Sequence, residues 1–214
     1  MRTSELRSLD QRGANYLTKD SYTLLISGKP FWLDHSRTNL VGVEEISTTL
    51  SNLCRFSGNL PSFYSVAEHS VYVSLLLDGT VGQTLGLLHD AAESVISDIP
   101  FPVKNRVPQL QDMEDRYLDE ILSSLLTDYK TSEKYRMYDW SEVWRADRAV
   151  LVWEMLSFFG KHNPWATSWI AENEVDSALE EVSAAVSCDS PLCLSPREAK
   201  RLFLFRYRQV LGVQ

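Results

Sequence analysis

Residues 65–94 read SVAEHSVYVSLLLDGTVGQTLGLLHDAAES, and the fold turns on their periodicity. Val66, Val73 and Leu76 fall on one stripe of a helix expected over roughly 65–77, and His69 falls on the same stripe. Asp78-Gly79-Thr80 then turns the chain. A second helix is expected from about Val81 to Ser94, with Leu85, Leu88, Ala92 and Val95 facing inward and His89 at the edge of that face. So short a turn makes the two helices antiparallel neighbours and carries His69 toward the His89-Asp90 pair.

Upstream, YLTKDSYTLLISGKPFW (16–32) places aromatic and branched residues on both sides of Ser27-Gly28-Lys29, the pattern of a short β-hairpin. Residues 1–15 are polar. Val43, Ile46, Leu50 and Leu53 recur at helical spacing, and SGNLPS (57–62) breaks the chain before the quoted stretch. Downstream, the three prolines of SDIPFPVKNRVP (97–108) exclude a regular helix. Helical patterns follow over about 109–127, 139–160 and 166–187. A last helix opens at Ser195 as N-cap, with Pro196 in the first turn and Glu198 three residues after the cap, and is amphipathic through Leu202, Phe205 and Val210. The expectation is an all-α protein with a short N-terminal hairpin: a core over 16–160 and a helical extension, 161–214, packed on it.

Composition narrows the function. The chain has 214 residues, 44% apolar and 23% charged, with a formal net charge of -8. It therefore has no global basic field to recruit nucleic acid, and a phosphate ester would need locally concentrated metal or Lys/Arg. Cys54, Cys188 and Cys193 are too few and odd in number for a disulfide framework, and Cys188-x4-Cys193 has no other Cys or His near it to complete a metal site. Without a spanning apolar run or an apolar leader segment, a cytoplasmic protein with no membrane partner is expected.

His69 is the oddity, a polar ring on a valine and leucine face. Alone, such a residue is ordinarily a hydrogen-bonded core histidine. Two of the four histidines, on adjacent helices and beside a carboxylate, instead form a donor set suited to Zn, Mn, Fe, Co or Ni, and less to Ca. Glu93 stands four residues after His89 and three after Asp90, on a neighbouring part of one helix surface, and Asp98 follows where the helix breaks. Acidic clusters on helices are ordinarily solvated faces, but these carboxylates sit beside the inward-facing Ala92 and Val95.

AEHS (67–70), LLHDAAE (87–93) and WRADRAVL (144–151) resemble the H…HD…D signature of the HD-domain phosphohydrolases, over roughly residues 22–160. LCRFSGNLPSFYSVAEHS (53–70) and HDAAESVISDIPFPVK (89–104) extend the likeness toward small bacterial and phage members, the 5′-deoxynucleotidases and the phage dATP triphosphohydrolases. The resemblance implies an HD-domain helical bundle in which His69, His89, Asp90 and Asp147 bind one divalent transition metal. Asp147 enters through this likeness; its helix carries Val143, Val150 and Leu151 as an apolar stripe. Glu93 and Asp98 are implied to handle the attacking water or hold a second ion such as Mg. Arg55 and Lys104 are implied phosphate contacts, which in isolation would read as surface cations. Phe56 and Pro102 fall where relatives shape the base and sugar pocket, although some deoxynucleotidases carry Trp at the Phe56 position. Phage members also carry a lysine near the last aspartate; here Trp144 stands three residues before Asp147, and the nearest cation is Arg145. The implied activity is hydrolysis of a 2′-deoxynucleotide, dATP above all, to deoxynucleoside and triphosphate, by a homo-oligomer in the cytoplasm (of the host, if phage-encoded). The alternatives are a 5′-deoxynucleotidase acting on monophosphates and a non-catalytic nucleotide-sensing module.

Overall fold

The computed structural model describes residues 22–33, 38–126, 128–164, 168 and 172–212. The polar stretch 1–15, residues 16–21 of the expected hairpin and most of 166–171 lie outside the described residues.

β1 (Tyr22–Leu24) and β2 (Pro30–Trp32) pair antiparallel, with Tyr22 opposite Trp32 and Leu24 opposite Pro30. Gly28 takes φ 79° in the turn, a left-handed conformation that costs glycine little. Phe31 points inward and packs edge-on against Tyr117, which ties the hairpin to the helical body.

The helices are α1 (Val43–Asn52), α2 (Val66–Leu75), α3 (Gly79–Leu88), α4 (Glu93–Ile96) and α5 (Phe101–Lys104). They continue with α6 (Pro108–Leu125), α7 (Glu133–Arg136), α8 (Trp140–Phe159), α9 (Glu172–Ala185) and α10 (Pro196–Leu211). The Ser65 hydroxyl caps α2 by accepting from Glu68 N at 3.2 Å. Every residue from Val66 to Ser74 is buried, because α1, α3, α8 and α10 surround this helix. A helix enclosed on all sides needs no single apolar stripe, so the stripe read through His69 was only part of its buried surface. Gly86 sets the α2–α3 approach: a Cβ there would lie 2.4 Å from Leu77 Cδ1 and 3.3 Å from Ser74 Cα.

α10 packs on α1, α2 and α3, and one apolar cluster runs from Leu25 and Phe31 of the hairpin to Ala199 and Phe203 of α10. The buried Glu68 fastens the preceding loop, accepting from Cys193 N (3.1 Å), Leu194 N (2.8 Å) and the Tyr72 hydroxyl (2.8 Å). Arg206 donates to Ser74 Oγ and Ser74 O, both at 3.0 Å, at the C-terminal end of α2, where the helix dipole favours a cation.

Three expectations are corrected. The helix expected over 81–94 breaks after Leu88: Ala91, Glu93, Ser94 and Val95 bond back three residues rather than four. That tighter ladder keeps near-helical dihedrals, so apolar spacing does not register it. Within 97–108 the chain forms one helical turn, α5, with Pro102 near its start, where the missing N–H has no partner to lose. On α10 the inward stripe is Ala199, Phe203, Arg206 and Val210, and Phe205 is 64% exposed. The N-cap at Ser195, with Glu198 accepting from Ser195 N at 3.1 Å, is as expected. Among the described residues no helix is long and apolar enough to cross a membrane.

Candidate metal centre

His69 rises from the middle of α2 and is fully buried, while His89 sits just past the end of α3. Their ring centroids are 5.4 Å apart. Each ring is oriented by its outer nitrogen. His69 Nδ1 lies 2.7 Å from Glu154 Oε1, and His89 Nδ1 lies 2.8 Å from Gly86 O. Both partners only accept, so each Nδ1 is a donor and each Nε2 is the atom left to take a metal ion or a second proton.

Both Nε2 atoms are buried without a hydrogen-bond partner. With Asp90, the two histidines offer ligand atoms all within 4.8 Å of one another. Asp90 Oδ1 is 3.2 Å from His89 Nε2, and Asp90 Oδ2 is 3.7 Å from His69 Nε2. Asp147, on α8, completes the set, its Oδ1 lying 3.0 Å from His69 Nε2 and 3.8 Å from His89 Nε2. The residues fit a divalent ion, since buried imidazole nitrogens normally find partners and these two face carboxylates instead.

The local field favours positive charge at that point. Burial and Arg55 oppose protonation of His69, but Glu154 and Asp147 outweigh them and push its pKa up to about 9. Burial alone would raise the Asp147 carboxyl; the close approach and charge of His69 and His89 hold it well below the usual carboxylate range.

Glu154 was not singled out by the sequence reading. It is fully buried on α8, two turns after Asp147, and accepts from Tyr64 (2.5 Å) and from Arg55 Nε (3.2 Å) and Nη2 (3.0 Å), besides His69. Burial opposes its charge, but Arg55 and His69 prevail and hold its carboxyl below the ordinary value. A charged residue inside the apolar run VLVWEML was the available signal, because an ionised side chain there must be paired. The loop before α2 delivers its partners: Arg55 N bonds Tyr64 O at 2.9 Å and Val66 N bonds Leu53 O at 3.1 Å, fixing Arg55 and Tyr64 side by side.

A cavity of about 680 Å³ opens beside the centre, and His89, Asp90 and Asp147 line it together with Glu93, Asp98 and Lys104. Arg55 spends two donors on Glu154 and directs Nη1 toward Asp90 Oδ2, 3.8 Å away. Lys104 Nζ is 2.6 Å from Glu114 Oε1 and 3.7 Å from Glu93 Oε1. Glu114 was not anticipated and carried no signal, being one acid among many in QDMEDRYLDE. Glu93 Oε2 and Glu114 Oε2 are buried without partners. Burial, then the charges of Asp90 and Asp98, push Glu93 well above the usual carboxylate range; burial also raises Asp98.

Phe56 and Pro102 lie outside the cavity wall. Phe56, at φ 55°, packs against Phe158 and Phe159, and Pro102 is exposed. Arg145 turns outward to Glu142 (3.3 Å) and Glu181; the cation of α8 that lines the cavity is Arg148.

The described residues thus hold a buried His-His-Asp group able to take a metal ion, with Asp147 against it. No family model matches the chain. The chain is similar to the "Uncharacterized protein YfdR" of Escherichia coli (strain K12), 38% identical over 96 residues, which is 45% of this chain. The match spans 53% of that protein, so the chain covers about half the length of this curated relative.

Proposed function

We propose that the protein is a divalent-metal-dependent phosphohydrolase of the HD type acting on 2′-deoxynucleotides, with dATP and release of triphosphate as the leading substrate and reaction. The observation that carries the proposal is the pair of buried, partnerless Nε2 atoms, on two elements, converging with two carboxylates at the wall of a cavity that also holds Arg55 and Lys104. The cavity volume falls within the range of small-molecule sites, roughly 300–1,000 Å³. Its wall carries seven carboxylate side chains against three from Lys or Arg. A phosphate ester entering so acidic a space needs a cation to meet it, which supports a metal requirement rather than binding by basic side chains alone.

His69, His89, Asp90 and Asp147 would hold the ion, which supplies Lewis-acid neutralisation of the phosphoryl oxygens and a lowered pKa for bound water. The remaining steps belong to the chain. In the leading reaction, water attacks the α-phosphorus and the P–O5′ bond breaks; the deoxynucleoside oxygen takes a proton and triphosphate departs. Glu93 accepts the water proton, with Asp98 beside it, both carboxylates lining the cavity. Arg55 Nη1 and Lys104 Nζ, both on the cavity side, bind phosphoryl oxygens.

The test is incubation with each dNTP, dNMP and NTP in Mn, Co, Zn or Mg, with products resolved by chromatography. Triphosphate and deoxynucleoside from dATP are expected. Inorganic phosphate from monophosphates alone would replace the leading reaction with a 5′-deoxynucleotidase, and inertness toward every nucleotide in every metal would overturn the proposal.

A further inference from the structure

Trp140, Trp144, Asp147 and Arg148 all line the cavity from α8. At about 100° per residue, Trp140 lies some 20° and Trp144 some 60° from Asp147 around the helix, so one face carries all three. Along the axis, at about 1.5 Å per residue, Trp144 stands roughly 4.5 Å and Trp140 roughly 10.5 Å from Asp147. The helix therefore runs from a metal-type ligand to two indoles over the interval that a sugar bridges between a phosphate and its base.

Trp144 is 65% exposed, although the apolar interior lies one residue away at the buried Val143. Scattered exposed apolar residues are common and need no explanation. This one borders the cavity that holds His89, Asp90 and Asp147, together with Trp140 and the partly exposed Tyr129. The cavity wall therefore combines two chemistries, ligand atoms and cations from His89, Asp90, Asp147 and Arg55, and flat π-faces from Trp140 and Trp144.

We infer that Trp140 and Trp144 form a stacking platform for the aromatic base of the ester whose phosphoryl group meets the His89–Asp147 end. The occupant is a planar heterocycle carried on a sugar phosphate, not a bare sugar phosphate. Indoles are the largest aromatic faces available, and stacking on them tolerates any base because every base has a π-face. The inference rests on the nucleotide reading of this cavity, and the experiment separates the two.

Binding of dAMP and of 2-deoxyribose 5-phosphate to the full chain in Mn is measured by calorimetry, or as KM where the ester is turned over. Trp144→Ala is expected to weaken dAMP roughly 5- to 150-fold, the scale of one lost stacking partner, while deoxyribose 5-phosphate stays within about twofold. Trp140→Ala should act in the same direction, and Trp144→Phe should restore most of the dAMP affinity. Equal losses for both ligands, no loss for dAMP, or a wild type that holds the two ligands equally or binds neither would overturn the platform. A wild type that binds dAMP through Trp144 yet hydrolyses no nucleotide would support the platform and remove the hydrolase reading. Hydrolysis indifferent to Trp144 would do the reverse.

Discussion

His69 meets the cavity region from a helix enclosed on every side, its ring fully buried and its Nδ1 held by Glu154 at 2.7 Å, whereas Trp144 faces the same cavity from α8 with 65% of its surface open. The contrast extends to their surroundings. Behind the metal-type ligands stand α2, α3 and α8 and a buried network of Glu154, Arg55 and Tyr64. The outer wall draws on the single-turn helices α4 and α5, with Phe101 67% exposed. Metal affinity depends on ligand positions held to tenths of an ångström, and only packed, hydrogen-bonded elements hold them so. On the proposed reading the outer wall must also admit and release an ester, and it gains from the opposite construction.

The strongest way to break this contrast is to remove an inner ligand. His89→Ala should lose the bound metal, read as metal per chain by elemental analysis, and lower turnover about 1,000-fold or more, since metal-ion stabilisation of phosphoryl charge is worth several kcal/mol. Retention of metal and activity would mean that the orphaned Nε2 atoms serve another purpose. Glu154→Ala comes next. Loss of the support behind His69 should cost about 10- to 100-fold in metal affinity. It also strands Arg55, 11% exposed, without its carboxylate, a change worth about 3–5 kcal/mol. At about 2–4 °C per kcal/mol for a chain of this size, Tm should fall roughly 10 °C. An unchanged Tm would show the inner network to be less fixed than its burial implies.

How far the sequence reached follows the same division. His69, His89 and Asp90 were legible because polar residues on apolar helix faces stand out, and α2 and α3 lie as the short turn between them requires. Asp147 came from family likeness, because a separation of 57 residues carries no phase information. Glu154 was legible in principle: it follows Asp147 by seven residues, only about 20° away around the helix. The tightened ladder at 89–95 was not legible, since dihedrals near −60° and −30° give the same apolar spacing whether bonds run back three residues or four. The misplaced Phe205 has a different cause. In RLFLFRYR either parity of the aromatics fits a helix, and the buried Arg206 occupies a place that the hydrophobic pattern assigns to an apolar residue.

Beyond the metal ligands the expected effects are smaller and confined to substrate binding. Glu114→Gln removes the charge that engages Lys104 at 2.6 Å and one carboxylate from an acidic wall. KM for the nucleotide should fall about fivefold, the effect of roughly 1 kcal/mol from a partly solvated charge pair, with metal content unchanged. A rise in KM would show instead that Glu114 aims Lys104 at the phosphate, and that this part of the wall is as constrained as the metal ligands.

The smallest effect tests the face of α8 on which the contrast depends. Arg145 and Arg148 flank Asp147, and by sequence distance alone either is near it. Around the helix, Arg145 is about 160° from Asp147 and Arg148 about 100°. In accord with that phase, Arg145 turns to Glu142 and Glu181 at the surface, 49% exposed, and Arg148 lines the cavity. Exposed ion pairs contribute about 0–1 kcal/mol, so Arg145→Ala should leave kcat/KM within about twofold and Tm nearly unmoved. Arg148→Ala, by removing a cation from the proposed phosphate-binding space, should raise KM roughly fivefold at unchanged metal content, an effect of about 1 kcal/mol. If the two variants exchanged behaviour, the cavity face of α8 would be the wrong one, and Trp140, Trp144 and Asp147 would lose their common wall with Arg148.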